Sequence, residues 1–424
     1  MPGQDDHLQP TVTILLIGTA DTKAEELAFL RREIEALGQA TRIMDVGVLG
    51  KPGIAPDIDH DAVAAAAGMT LADIAALGEE NLAMQKMATG AAALAAELSA
   101  RGEIDGVLVI GGTMGTDLGL EVAKALPLGV AKLIVSSVSF SHIIPAERIA
   151  PDLMMILWAG GLWGLNTACS SVLRQAAGAT VGAALANRGK VRWERPAVGI
   201  SSLGSSCLKY LGALKPALEA RGYEVIVFHT VGLGGQALEA LAEQGRLVAV
   251  LDLSLIEVSN HVLGSAVSAG PTRLETAGRL GIPQIVAPGA IDSVDHRPWA
   301  PMSAENAEKF YAHNRLIGGA PTSKTDKLAI AGVIAGKLNQ ARGPTAFVLP
   351  LHGVNEWDRP GNPMHDPEGH ASFCEAIAGQ LGPNVERTTV DAHINDRAFS
   401  DAVMETFDRW TAAGLIAPGH STAA

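Results

Sequence analysis

The feature that most constrains the fold is the segment ILLIGTADTK at residues 14–23, where an apolar run meets a glycine and then small, hydroxyl-bearing residues. Four consecutive apolar residues predict a buried β-strand, and Gly18 permits a tight turn where a Cβ atom would clash. The hydroxyl and carboxylate side chains that follow are typical helix caps, so a helix is predicted to begin near Lys23. The first amide groups of such a helix are free to bind an anion, so the segment predicts a phosphate site.

The same pattern recurs at residues 106–116, where the apolar strand GVLVI is followed by GGTMGT. The glycines and threonines of this turn leave backbone donors and hydroxyl groups accessible to a ligand. Ligands of open α/β sheets bind at the carboxyl ends of strands, so two such turns in one domain can hold a polyphosphate. Tight turns without any ligand are the alternative for both segments.

Short apolar runs alternate with alanine-rich helical stretches along the 424 residues, which is the rhythm of βαβ units. The predicted fold is α/β, with two Rossmann-like domains whose sheets are mostly parallel. A charged segment with Gly and Pro, residues 187–196, predicts the linker between an N-terminal domain at 1–188 and a C-terminal domain at 196–424. The predicted strands are Thr11–Ile17, Ala40–Val46, Gly106–Ile110, Lys132–Val135, Leu153–Leu157, Ala197–Ser201, Glu224–His229, Val248–Leu253, Gln284–Ala287 and Ala346–Leu349.

Composition argues against several classes of protein. The 45 acidic residues outnumber the 32 basic ones and give a net charge of −13, which argues against nucleic-acid binding. The three cysteines, Cys169, Cys207 and Cys374, form no CxxC pair, which argues against a disulfide framework. The acidic start Met1–Asp6 lacks the features of a signal peptide, and the apolar runs are too short to span a membrane. We therefore expect a cytoplasmic protein without a membrane partner.

Four motifs carry a resemblance to a known family. They are GTADTK at 18–23, FHTVGLGG at 228–235, GAID at 289–292 and HIND at 393–396. Because they match in order over about 400 residues, they are far more specific than a single glycine-rich loop. The chain resembles the Tm-1-like ATP-binding family, also called UPF0261.

The resemblance implies a homodimer of two-domain subunits that binds ATP with magnesium in the N-terminal domain. Backbone and hydroxyl groups of both turns would hold the phosphates, Lys23 would add a charge, and Asp21 would approach the metal. The implied nucleotide positions are Gly18, Thr19, Ala20, Asp21, Thr22, Lys23, Gly111, Gly112, Thr113, Gly115 and Thr116.

Three further residues are predicted to contact the nucleotide from their positions after strands. Asp45 ends the second strand, where an acid often binds ribose hydroxyls; a solvated carboxylate is the alternative. Ser136 and Ser137 follow the fourth strand and either contact the ligand or cap the next helix. Met114 stands where family members commonly have glycine, and Glu80 where many have arginine. A different nucleotide or a smaller phosphorylated ligand is therefore an alternative to ATP.

The C-terminal half carries a second set of candidates at strand ends. His229 closes one predicted strand, and Asp252 and Glu257 lie at and beyond the end of the next. Strand ends on one edge converge, so these residues and Asp292 can line one pocket. Later candidates on polar loops are His296, His313, His352, Asp358, His365 and Asp366.

Two interpretations of this second set stay open. In the first, an ATP-dependent enzyme phosphorylates or ligates a small acid or sugar-like metabolite, with His229 as base and Asp252 or Glu257 orienting it or holding magnesium. In the second, the chain is a binding module, and ATP orders the dimer for a protein or metabolite partner. No HExxH or comparable spacing is present, so metal ligands are left unassigned.

The segment MMILWAGGLWGL at 154–165 is unusually apolar, with Trp158 and Trp163 near the end of a predicted strand. Central parallel strands are continuous apolar runs, which favours domain core. Aromatic and methionine side chains are also enriched at interface centres, so the stretch after Trp158 can instead contact a second subunit.

Overall fold

The computed structural model describes residues 11–189, 192–204, 207 and 209–420. It divides into two compact units, the N-terminal unit Met1–Arg192 and the C-terminal unit Trp193–Ala424. The boundary falls inside the segment predicted as the linker, of which Lys190 and Val191 lie outside the described residues. The segment Met1–Asp6, from which no signal peptide is expected, also lies outside them.

A five-stranded parallel sheet forms the middle of the N-terminal unit, with strand order β2-β1-β3-β4-β5. Within it, Ile14 of β1 is paired with Thr41 on one side and with Gly106 on the other. The elements are β1 Thr13–Gly18, α1 Ala24–Ala36, β2 Ala40–Asp45, α2 His60–Ala66, α3 Leu71–Ala75, α4 Glu80–Ala100, β3 Gly106–Gly111, α5 Thr113–Ala125, β4 Ala131–Ser136, a 3-10 turn Ala146–Arg148, β5 Met154–Leu157 and α6 Thr167–Asn187.

Apolar sequence explains the position of these elements. Strand β3, with sequence GVLVIG, is buried along its whole length, as a parallel strand covered on both faces must be. Helix α1 places Leu27, Leu30 and Ile34 on one buried face, at spacings of three and four residues. Burying each such side chain contributes about 1.5–3 kcal/mol to stability. The hydrophobic core of the unit lies on the two faces of the sheet, which the helices cover.

A six-stranded parallel sheet with order β14-β13-β9-β8-β6-β7 forms the middle of the C-terminal unit. A small antiparallel sheet, β10-β12-β11, arises from the excursion between β9 and α12. The elements are β6 Ala197–Ser202, α7 Leu211–Ala220, β7 Glu224–His229, α8 Leu233–Glu243, β8 Leu247–Ser254, α9 Ile256–Val262, α10 Thr276–Leu280, β9 Gln284–Gly289, β10 Ser293–His296, α11 Ala304–Glu308, β11 Tyr311–Ala312, β12 Gly318–Pro321, α12 Lys324–Leu338, β13 Thr345–Pro350, a 3-10 turn Glu356–Asp358, α13 Pro367–Gln380, β14 Val385–Val390 and α14 Arg397–Ala412.

The predicted α/β class with mostly parallel sheets is confirmed. The strands absent from the prediction share a weak apolar signal. Strand β14, VERTTV, lies at the sheet edge with four partly or fully exposed residues, so no continuous apolar run marks it. Strands β10 to β12 are two to four residues long, too short for a periodic pattern.

The apolar segment 154–165 lies at the edge of its sheet, because β5 is the last strand in the order. Trp163 exposes 87% of its surface, whereas Trp158 is half-buried and donates its indole N–H to Gly161 O at 3.2 Å. The interpretation as domain core is therefore wrong for Trp163. Contact of this stretch with a second subunit stays a prediction.

Two further features concern the cysteines and the helices. Cys169, Cys207 and Cys374 are free thiols, and all three are buried. Among the helices of the described ranges, none is long and apolar enough to cross a membrane.

The strand order fixes where a ligand is expected in each sheet. It reverses between β1 and β3 in the N-terminal unit and between β6 and β8 in the C-terminal unit. Open α/β sheets bind their ligands in the crevice at such a switch point, outside the carboxyl ends of the strands.

Candidate functional site

A cavity of about 750 Å³ lies at the carboxyl ends of β1, β2 and β3, at the switch point of the N-terminal unit. Its volume falls in the range of small-molecule sites, roughly 300–1,000 Å³. The predicted nucleotide residues that line it are Gly18, Thr19, Asp21, Thr22, Lys23, Gly111, Gly112, Thr113 and Gly115. The predicted residues outside its lining are Ala20, Asp45, Thr116, Ser136 and Ser137.

The turn between β3 and α5 is open toward a ligand. Gly112 is the N-cap of α5, no side chain caps this helix, and its first turn contains no acidic residue. A Cβ atom at residue 112 would have Ser137 Oγ, 3.9 Å away, as its nearest contact beyond its chain neighbours. The positive end of the α5 dipole therefore borders free space, as an anion site requires.

The turn between β1 and α1 is closed by its own backbone. The carbonyl of Thr19 accepts hydrogen bonds from Thr22 N at 3.2 Å and from Lys23 N at 2.9 Å. Helix α1 has Lys23 as its N-cap without a side-chain cap, and Glu25 and Glu26 occupy its first turn. The expectation of a side-chain cap on this helix is therefore wrong, whereas free amides at its first turn stay a prediction. The side chains of Thr19, Asp21, Thr22 and Lys23 line the cavity.

Asp45 holds the neighbouring loops and is 1% exposed. Its Oδ1 accepts hydrogen bonds from Ala20 N and Gly47 N, both at 2.9 Å, and His60 Nδ1 lies 3.5 Å from its Oδ2. These partners fix two turns that border the cavity. We therefore assign Asp45 a positioning role in place of the ribose contact expected from the sequence.

The side chains of Thr116 and Ser136 also form hydrogen bonds within the protein. Thr116 Oγ1 donates to Gly112 O at 2.7 Å and shares a hydrogen bond with Ser136 Oγ at 2.6 Å. Both residues are at most 2% exposed, so they stabilise the open turn from its buried side. Ser137 is half-buried, and its Oγ lies 3.9 Å from a Cβ atom placed at residue 112.

Charged side chains of both signs reach the cavity. Lys23 supplies a cation, and its Nζ lies 5.8 Å from the ring centre of Trp163. Asp21, Glu79 and Glu80 bring carboxylates to the walls. In the described part of the chain, no group of three or more His, Cys, Asp or Glu side chains could hold a metal ion. Magnesium commonly takes only one or two carboxylates and completes its shell with phosphate oxygens and water, which this site allows.

The cavity lining also includes apolar side chains. They are Val46 and Val48 after β2, Ala83 and Met84 in α4, and Leu118 in α5. One cavity thus combines backbone donors and polar side chains with an apolar surface, as small-molecule sites commonly do.

In the C-terminal unit, Asp252 and Glu257 meet in a buried ionic cluster around Arg273. The guanidinium donates to the two oxygens of Asp252 at 2.5 and 2.7 Å and to Glu257 Oε2 at 2.9 Å. Glu239 adds a fourth charge, 3.4 Å from Arg273. Burial lowers the pKa of Arg273, but the carboxylates outweigh it and hold that pKa well above its usual value.

Glu257 also fills the glycine-rich turn that precedes α8. Its Oε1 accepts hydrogen bonds from Gly232 N at 2.7 Å and Gly235 N at 3.1 Å. A Cβ atom at residue 235 would overlap the Glu257 carboxylate and the Arg273 side chain. The place that an anion would take at this helix N-terminus is occupied by the chain's own carboxylate.

His229 is exposed at the end of β7. Within the described residues, no hydrogen bond or ion pair joins its side chain to Asp252 or Glu257. The structure therefore corrects the expectation of one catalytic pocket. Asp252 and Glu257 are enclosed and fully paired, which suits a structural cluster better than proton transfer to a substrate.

A second polar cluster, at the carboxyl ends of β9, β13 and β14, was only partly anticipated. Asn355 Nδ2 donates to Asp292 Oδ1 at 3.2 Å, and His393 Nε2 lies 3.0 Å from Asp358 Oδ1. Asp292 Oδ2 is buried and has no hydrogen-bond partner. Burial, reinforced by the charge of Asp358, raises the pKa of Asp292 to about 7.

The sequence contained a signal for this cluster. Asp292 ends the GAID motif and His393 begins the HIND motif, which carried the family resemblance. Their meeting depends on the pairing of β13 with both β9 and β14, which spacing along the chain does not reveal.

Comparison with known proteins matches both units. The family model described as the N-terminal domain of uncharacterised protein family UPF0261 matches residues 12–189, and the model of its C-terminal domain matches residues 195–411. A UPF0261 protein of Brucella melitensis is 49% identical over 408 residues, which cover 96% of this chain and 97% of the relative. The ToMV resistance protein Tm-1(GCR237) of Solanum lycopersicum is 28% identical and is matched over 93% of this chain and 55% of its own length.

Likeness to solved structures is weak. A UDP-GlcNAc 2-epimerase from Neisseria meningitidis aligns with 11% identity and a TM-score of 0.24, over 65% of this chain and 82% of that one. A TM-score this low is no basis for inferring a ligand or an activity. The family models and the relatives decide the assignment, and the chain belongs to the UPF0261 family.

Proposed function

We propose that the N-terminal unit binds ATP together with Mg²⁺, with the phosphates at the turn between β3 and α5. The observation that carries this proposal is the uncapped, acid-free N-terminus of α5 beside a cavity of about 750 Å³ at a switch point. Lys23 adds a positive charge from the facing turn, and Asp21 and Glu80 are the carboxylates available to the metal.

The apolar side chains that line the cavity support a nucleotide over a smaller phosphorylated ligand. A sugar phosphate would leave the side chains of Val48, Met84 and Leu118 without an apolar partner, whereas a nucleobase would cover them. Met114 lines the cavity beside the phosphate turn, and its flexible thioether can move aside.

The role that fits these features is ATP binding by a cytoplasmic homodimer. The enclosed Asp252 and Glu257 give no support to the alternative of an ATP-dependent enzyme that uses them for catalysis. An exposed edge strand β5 and Trp163 support contact with a second subunit.

Thermal unfolding with and without Mg·ATP tests the proposal. At about 100 times its dissociation constant, a ligand stabilises the fold by about 2.7 kcal/mol, which a melt detects readily. Gly112→Val should abolish this gain, because its side chain enters the open turn without a clash inside the protein. Gly178→Val is the matched control, since Gly178 is an exposed glycine of α6 with no neighbour within 4 Å and lies outside the cavity lining.

The proposal fails if millimolar Mg·ATP leaves the melt of the folded wild-type protein unchanged. It also fails if Gly112→Val and Gly178→Val respond to Mg·ATP as the wild type does.

A further inference from the structure

Two adjoining cavities of the C-terminal unit play no part in the proposed nucleotide site. They have volumes of about 470 Å³ and about 320 Å³, and His365 and Asp366 line both. The smaller one lies beyond the carboxyl ends of β13 and β14, where an open α/β sheet places its ligands. The larger one is bordered by the excursion that carries β11 and β12.

Histidines are concentrated in the smaller cavity, and hydrogen bonds fix their tautomers. His365 Nδ1 lies 2.7 Å from Asp358 O, so this nitrogen donates and Nε2 keeps its lone pair. His370 Nε2 lies 2.9 Å from Pro350 O, so Nδ1 keeps the lone pair. Burial lowers the pKa of His370, so this ring is neutral at neutral pH. His365 Nε2 is therefore an acceptor on a residue that lines the cavity, and the neutral His370 ring adds no positive charge to that lining.

The cation that lines the smaller cavity and the cation that binds its Asp366 are already paired. Lys327 Nζ donates to Asp366 Oδ2 at 2.6 Å and is 2% exposed. Arg359 donates to Asp396 at 2.8 Å and to Glu356 at 3.2 Å. Asp366 Oδ1 accepts from Gly369 N at 2.9 Å, so each oxygen of this carboxylate can accept one further hydrogen bond, and none of these positive charges is uncompensated. An anionic ligand would meet carboxylates, whereas hydroxyl groups would find partners.

The larger cavity adds a flat apolar surface. Tyr311, which is 43% exposed, and Met364 both line it. Lys309, its cationic lining residue, pairs with Glu305 at 3.0 Å. An aromatic face next to many acceptors matches a molecule that carries both C–H surface and hydroxyl groups.

We propose that the C-terminal unit binds an uncharged polyhydroxylated small molecule, a monosaccharide or cyclitol, at the junction of these two cavities. His365 Nε2 and the Asp366 carboxylate accept hydrogen bonds from its hydroxyl groups, and Tyr311 covers its C–H face. The site is independent of the nucleotide proposal, because each involves residues of a different unit.

Saturation-transfer difference NMR on the full-length protein without nucleotide tests this site. The probes are glucose, galactose, mannose, ribose and myo-inositol, each against an acidic counterpart where one exists, such as glucuronate for glucose and galacturonate for galactose. We expect transfer to at least one neutral probe and about tenfold weaker binding of the acid of the same ring. His365→Ala should weaken binding of that probe about tenfold, the effect of one lost hydrogen bond.

His313→Ala is the matched control. His313 is an exposed histidine of the same excursion and lies outside both linings. Tyr311→Ala provides a second variant, and it should also weaken binding. The proposal is overturned if no neutral probe receives saturation, if the acids bind as well as the neutral sugars, or if His365→Ala and Tyr311→Ala bind like His313→Ala.

Discussion

The glycine-rich turns before α5 and α8 have similar local structure, but the first borders open space and the second is filled by a side chain. Each follows a parallel strand and each starts a helix at a glycine N-cap without a capping side chain. At Gly112 the space beside the turn is open, and a cavity of about 750 Å³ adjoins it. At Gly232 the amides are bonded to Glu257, whose charge is matched by Arg273. The turn before α5 is thus open to an external anion, whereas the turn before α8 is filled by the chain's own carboxylate.

This difference supports the proposal that the N-terminal unit binds the anion. A phosphate at Gly232 would have to displace the buried Glu257 carboxylate and break its ion pair with Arg273, which costs several kcal/mol. A phosphate at Gly112 meets free amides and a helix dipole without any such loss.

The largest effect on stability is expected when the ionic cluster that fills the turn before α8 is broken. Arg273→Met should lower the free energy of unfolding by about 3–5 kcal/mol, because it leaves Asp252, Glu257 and Glu239 buried without their cation. Arg279→Met is the control, since Arg279 and its partner Glu243 are about half exposed and such a pair contributes less than about 1 kcal/mol. Urea unfolding measures both, and equal losses for the two variants would contradict the cluster's role.

Adding one methyl group to each turn gives the next largest effect. Gly235→Ala should cost about 1–3 kcal/mol, since its Cβ atom overlaps the Glu257 carboxylate. Gly112→Ala should cost less than about 1 kcal/mol, the difference between two N-cap residues. The same unfolding measurement separates them. If Gly112→Ala is the more damaging change, the turn before α5 is not open.

Per pH unit, a smaller effect is expected from the ionisation of Asp292. Its pKa is about 7 in the folded chain, against an ordinary value of 3.8, so the folded state binds one extra proton between these values. The contribution of Asp292 to the free energy of unfolding should therefore fall as pH rises from about 4 to about 7, by at most about 1.4 kcal/mol per pH unit. Asp292→Asn should reduce the slope between pH 6 and pH 7, above the pKa of about 6 to which burial raises Asp295, as measured by urea unfolding at pH 5, 6, 7 and 8. An unchanged slope would show that Asp292 ionises normally in the folded protein.

Much of the fold follows from the sequence because buried parallel strands are continuous apolar runs. The run GVLVI at β3 and the glycines after it predict both the strand and the turn. Strand β14 is not predicted in this way, since its four central residues are partly or fully exposed at a sheet edge. The apolar sequence around Trp163 favours a buried segment, but Trp163 lies in a loop and is exposed.

The candidate site is less predictable than the fold, because its decisive contacts join distant segments. Sequence marks Gly112 and Gly232 as equivalent, and only the placement of Glu257, 25 residues beyond Gly232, distinguishes them. Asp45 similarly has the position of a ribose ligand, but its oxygen is bound to Ala20 N and Gly47 N. Such hydrogen bonds depend on loop geometry, which residue spacing does not determine.

The most direct test of the account is a glycine-selective ¹⁵N TROSY titration of the full-length protein with Mg·ATP. The account predicts shifts of the amide signals of Gly111, Gly112 and Gly115, with Gly232, Gly234 and Gly235 unchanged. Shifts confined to Gly232, Gly234 and Gly235 would contradict it, because the nucleotide would then occupy the turn that Glu257 fills.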